Sequence, residues 1–131
     1  MKTAIISYIV LAVVILLVVL NSLFIVYNID VIVSRLKKAP DSLDAGAIYE
    51  DIFSDYMKRQ KYIGLSVSHD DLTSIESEFN EILGAIKAND DKSLIIAKSR
   101  LIGALTHLRR LSSINADSIL FGYAKSDISF L

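Results

Sequence analysis

Between Lys2 and Asp30 the chain has no Asp, Glu, Lys, Arg or His. Thr3 to Leu20 is an unbroken run of eighteen residues, almost all aliphatic. Asn21 and Ser22 interrupt it, and Leu23-Phe24-Ile25-Val26-Tyr27 resumes it. At about 1.5 Å per residue, roughly 20 apolar residues in a helix cross a hydrocarbon layer of about 30 Å. Val and Ile favour strands in water, but a lone segment in lipid must be helical to satisfy its backbone. The run predicts a single-pass transmembrane anchor over residues 1–29.

Two other readings share this pattern. A cleaved secretory signal also opens with a basic residue and an apolar core, but that core is usually 7–15 residues and ends at small side chains. Here the core is longer, and bulky residues follow Leu20. A buried helix of a soluble protein is the third reading. Lys2 precedes the span and Arg35, Lys37 and Lys38 follow it, so a literal positive-inside count keeps the remainder in the cytoplasm. A very short leading tail argues for the opposite sense, and the expectation is a cell-membrane protein whose larger part is extracytoplasmic. The chain has no cysteine, so redox compartment does not help.

The remaining residues, 30–131, suffice for one domain. The single proline, Pro40, ends a first helix near Lys38, because the residue before proline avoids the α region. Asp41 or Ser42 is placed to cap the next helix. The expected fold is all-α: a small antiparallel bundle over 30–120, with helices near 30–38, 43–62, 70–88 and 92–111, then a tail over 121–131. The second helix has Ile48, Ile52, Tyr56 and Met57 at helical spacing, with Tyr49 and Phe53 alongside. Gly64 to Ser68 reads as a connector, and Ser68 as a hydroxyl cap ahead of Asp70 and Asp71. Leu72, Ile75, Phe79, Ile82, Leu83 and Ile86 form the next stripe. Leu94, Ile95, Leu101, Ile102, Leu105 and Leu108 form the last. The short turn at Asn89-Asp90-Asp91 makes these two helices an αα-hairpin.

Charge is divided between the hairpin's arms. Residues 70–88 hold Asp70, Asp71, Glu76, Glu78 and Glu81 with one base, Lys87. Residues 92–110 hold Lys92, Lys98, Arg100, Arg109 and Arg110 with no acid. Opposite signs on adjoining surfaces favour the antiparallel register, each exposed pair contributing under about 1 kcal/mol. An acidic helix beside the basic one, and a net charge of −1, argue against nucleic acid as a partner.

No nucleophile elbow, phosphate loop, metalloprotease helix or cysteine nucleophile occurs, and no catalytic, cofactor-binding or metal-ligating residue is assigned. The hairpin brings the neighbourhoods of His69 and His107 together, and Asp70 or Asp71 offers a third ligand for a zinc-like ion. The plainer reading is that His69 flanks a cap and His107 edges a helix. Tyr49, Phe53, Tyr56, Tyr62 and Phe79 fill the core on one reading and line a pocket on the other.

Several segments together resemble the DUF4363 family, small membrane-anchored proteins of Gram-positive bacteria. They are the leading hydrophobic helix, Lys58-Arg59-Gln60-Lys61-Tyr62, and the connector Leu65-Ser66-Val67-Ser68-His69-Asp70-Asp71-Leu72. Ile75-Glu76, the Asn89-Asp90-Asp91 turn, and Leu101 through Leu111 followed by Ser118-Ile119-Leu120 complete the set. The resemblance implies this architecture and a cell-envelope location, and carries no established activity. The expected function is a noncatalytic, membrane-tethered interaction module that self-associates or binds another envelope protein. The alternative is an extracytoplasmic small-molecule or metal-ion sensor.

Overall fold

A computed structural model describes the backbone of residues 2–64 and 67–128, and the side chains of those up to residue 113. Four α-helices follow one another: α1 Lys2–Lys38, α2 Gly46–Ile63, α3 His69–Lys87 and α4 Asp91–Ile128. A 3-10 turn, Leu43–Ala45, leads into α2. Among the described residues there is no strand, and the fold is all-α.

The termini follow local chemistry. Ahead of Pro40, the Ala39 N–H closes the last turn of α1 on the Arg35 and Leu36 carbonyls. Ser42 accepts a bond from the Asp44 N–H at 3.2 Å, so it caps the 3-10 turn, and α2 starts without a side-chain cap of its own. Gly64 ends α2 with its N–H on the Gln60 carbonyl. A Cβ there would stand 2.8 Å from that oxygen, so only glycine fits the approach. The hydroxyl cap expected at Ser68 is absent: the Ser68 carbonyl instead takes the Leu72 N–H. At the hairpin turn Asn89 has φ 59°, a left-handed conformation that asparagine tolerates better than most residues. Asp90 then caps α4, accepting from the Ser93 N–H and, at 2.6 Å, from its hydroxyl.

Neighbouring helices run antiparallel. Arg35 of α1 meets Asp51 and Asp55 of α2, and Arg59 further along α2 meets Asn28 further back on α1. Tyr56 and Phe53 of α2 stack on Phe79 of α3. Lys98 of α4 reaches the end of α1, whereas Arg109 reaches back to Asp30. The result is an up-down-up-down bundle. Its core comprises Ile25, Ile29, Ile32 and Leu36 with Tyr49, Ile52 and Tyr56, closed by Leu72, Ile75, Phe79 and Ile82 and by Leu94, Leu101, Leu105 and Leu108.

Three expectations are corrected. The helix expected over 30–38 is not separate: α1 is continuous for 37 residues, and its buried face starts at Ser22 rather than near residue 30. The stripe of α2 is rotated, with Tyr49 buried but Ile48 at 45% and Met57 at 39% exposure; on α4, Ile95 is 51% exposed. The fourth helix does not stop at residue 111 but continues to Ile128, taking in most of the expected tail. Residues 129–131, and any docking of the tail's side chains, lie outside the described residues.

Candidate functional site

In the first half of α1, Ile15, Val18 and Val19 are half-buried and the other described residues are exposed. No residue from Lys2 to Asn21 is buried, and this is one helix long and apolar enough, by length and composition, to cross a membrane. From Ser22 onward every third or fourth residue turns inward: Ser22, Ile25, Asn28, Ile29, Ile32 and Leu36. The apolar span therefore passes into the core with no loop between them.

Two of those inward residues, Ser22 and Asn28, are polar, and the partners of Asn28 define how α1 and α2 align. Asn28 donates to the Phe24 carbonyl at 2.8 Å and accepts at Oδ1 from Arg59 Nη1 at 2.7 Å. Arg59 Nε binds Asp55 at 3.0 Å, and Arg35 binds Asp55 at 2.9 Å and Asp51 at 2.6 Å. The chain Asp51–Arg35–Asp55–Arg59–Asn28 thus stitches α1 to α2. The two carboxylates raise the Arg35 pKa, which keeps the guanidinium charged.

A second polar clamp lies at the opposite end. Lys98 is 8% exposed, and its Nζ donates at 2.7 Å to both the Ala39 carbonyl and Asp41. The amine stands 5.7 Å from the centre of the Tyr49 ring, whose hydroxyl donates to the Pro40 carbonyl. Burial works against the Lys98 charge, and the bonds to Asp41 and Tyr49 outweigh it, so its pKa lies above the ordinary value. The turn after α1 is therefore fastened by α2 and α4 together.

The charged arms of the hairpin pair less with each other than their composition predicts. Between α3 and α4 the described pair is Arg100–Glu81 at 3.3 Å, while Lys98 and Arg109 serve Asp41 and Asp30 instead. Glu78 stays out of this pairing. Its Oε2 is buried without a partner among the described residues, and burial, reinforced by Glu81, raises its pKa.

His69 and His107 are both exposed, and among the described residues no group of three or more His, Cys, Asp or Glu is placed to hold a metal. Tyr49, Tyr56 and Phe79 are packed core, with Phe79 stacked 4.9 Å from Phe53 and 5.2 Å from Tyr56. Tyr62, expected with them, is 68% exposed. Surface grooves lie elsewhere. One of about 350 Å³ runs between Lys37, Asp41, Ile95, Lys98, Ser99 and Ile102. Another of about 260 Å³ includes Arg35, Lys38, Pro40, Ile48 and Ile52. Both flank the turn after α1 and are open and shallow.

Composition did not reveal the roles of Asn28, Arg59 and Lys98, although a positional signal existed. Asn28 falls on the stripe that runs through Ile25 and Ile32, and Lys98 on the one that runs through Leu94 and Leu101. A polar residue on an apolar stripe requires a dedicated partner. No family model, no curated protein and no solved structure matches the chain.

Proposed function

We propose that this protein is a noncatalytic, membrane-tethered helical module of the cell envelope that acts by binding a second copy of itself or another envelope protein. The continuity of α1 carries this reading. One helix supplies both the apolar span and a wall of the bundle core, so the domain is a stiff extension of its anchor rather than a ball on a flexible leash. Its charged side chains support the reading too, because Arg35, Arg59, Lys98 and Arg109 are committed to holding helices in register.

Contact would be made at the end of the bundle remote from the span. Ile48 and Ile95, both exposed, border grooves on either side of the Lys37–Asp41 corner. At 1.5 Å per residue, that corner stands on the order of 25–30 Å beyond Asn21 along α1. Tethering confines the surface to a plane and raises its effective concentration near membrane-bound partners, so a small interface suffices. On this reading the bundle lies on the outer side of the membrane.

The test is photo-crosslinking in cells from a reactive side chain at position 95 or 48 of the full-length protein, read by mass spectrometry. A single dominant product, either a self-adduct or one envelope protein, is expected. If no specific product forms and the purified chain instead binds a metal ion stoichiometrically through His69 and His107, the sensor reading replaces this one.

A further inference from the structure

The ion pairs between α1 and α2 fix the height of one more surface. Arg35 lies level with the stretch between Asp51 and Asp55, and Asn28 lies level with Arg59. Moving back along α1 thus moves forward along α2 at nearly one residue per residue. Three residues past Arg59, Tyr62 lies beside about Ile25. The edge of the hydrocarbon layer is taken at about Asn21, where the fully buried face of α1 begins at Ser22. Residues 3–21 measure roughly 28 Å as a helix, close to the thickness of that layer. Tyr62 then stands about 6 Å beyond it, inside a headgroup zone roughly 5–8 Å deep.

The side chains at this height have the composition of a bilayer interface. Tyr62 is 68% exposed and Tyr27, on α1, is 63% exposed. Lys61, also exposed, adjoins Tyr62, and Lys58 follows on the same face of α2 one turn further from the bilayer. Tyrosine is enriched where apolar and wet surroundings meet, and lysine lays its methylene stem along apolar surface while its amine reaches water. Exposed Asp70, at the start of α3, introduces an acid nearby, so the surface does not require anionic lipid.

We propose that the last turn of α2, through Lys61 and Tyr62, seats in the lipid headgroup layer near Tyr27, so that α2 as well as α1 contacts the membrane. This rests on the reading of α1 as a membrane span. The seat restrains rotation and tilt about α1 and presents the remote corner to partners in a fixed attitude.

The chain contains no tryptophan, so a single introduced one reports its own depth. The variants Tyr62→Trp, Val14→Trp and Ile48→Trp, all at exposed positions, are compared in the full-length protein reconstituted in phosphatidylcholine vesicles. Lipid-borne quenchers at shallow and deep positions probe from within the bilayer, and iodide probes from water. With tryptophan at 62, the shallow quencher should remove at least about twice the signal it removes at 48, and iodide should have less effect than at 48. At 14 the deep quencher should dominate. If 62 behaves like 48 while 14 is quenched, the anchor stands and the seat does not. If none of the three is quenched by lipid, the span reading fails and the seat with it. If 62 is shielded from iodide yet untouched by lipid quenchers, a second copy of the chain covers it and the lipid seat is overturned.

Discussion

Arg59 on α2 donates a hydrogen bond to Asn28 on α1 at 2.7 Å, filling the one acceptor of a side chain otherwise sealed in the core. Asn28 uses its amide to bond the Phe24 carbonyl one turn back, so both ends of the group are satisfied only while α2 lies alongside. A buried acceptor left without a partner costs about 1–3 kcal/mol, whereas replacing both partners by apolar groups of similar shape is nearly neutral. The pair therefore specifies how α1 and α2 align more than it adds stability.

Accordingly, Arg59→Met alone should destabilise the bundle by about 1–3 kcal/mol, while the double variant Arg59→Met with Asn28→Leu should recover much of that loss. Urea unfolding of the full-length protein in detergent, followed by circular dichroism, measures both. Additive losses would mean that the two side chains act independently.

The core assignment makes a sharper contrast. Phe79 and Leu105 are almost fully buried, and Phe79 is stacked by two rings, so either residue changed to alanine should cost about 2–5 kcal/mol through the cavity left behind. Ile48 and Ile95, assigned to the core by their spacing, stand exposed, and their alanine variants should change stability by less than about 0.5 kcal/mol. Comparable effects at all four sites would mean that the exposed pair is buried in an assembly.

These residues also show how far the sequence could be read. The stripe on α3 was legible because Leu72, Ile75, Phe79 and Ile82 are separated by polar residues that admit only one inward face. On α2, apolar residues lie on both sides of the true stripe, and periodicity alone could not choose Tyr49 over Ile48. The join between span and bundle was illegible for a related reason. Leu23, Phe24 and Ile25 are equally apolar, yet only Ile25 faces helical partners. The ion pairs were the least legible. Opposite charges on α3 and α4 suggested mutual pairing, but Arg109 meets Asp30 of α1 and Lys98 meets Asp41 just after it, and composition does not place either acid.

Glu78 supplies a pH signature. Its folded pKa is raised by burial and by Glu81, so it favours folding while protonated, and that contribution is lost as pH rises past the ordinary glutamate value of 4.5. Glu78→Gln should therefore stabilise the bundle near pH 7, by under about 1 kcal/mol given partial solvent access, and confer no gain near pH 3. Lys98 behaves in the same sense at the other extreme. With a pKa above the ordinary 10.5, its support for the turn at Asp41 is complete below that pH and fades only above it. Thermal unfolding scanned against pH separates the two, and a Glu78→Gln gain that persists at pH 3 would contradict the assigned shift.

Membrane placement yields the last prediction. The span is bulky after Leu20, where a signal peptidase requires small side chains, and α1 continues from it into the core. The protein should therefore pellet with membranes, resist carbonate extraction and retain its full mass. A shortened, soluble product would show residues 1–20 to be a cleaved signal. Sidedness follows from the same preparation, because the chain has no cysteine and Ser99 is exposed, so Ser99→Cys introduces one addressable thiol. A membrane-impermeant maleimide should label it in intact cells if the bundle lies outside. Labelling only after lysis would place the bundle in the cytoplasm with Arg35, Lys37 and Lys38 on the side that the positive-inside count favours, and any partner would have to be sought there.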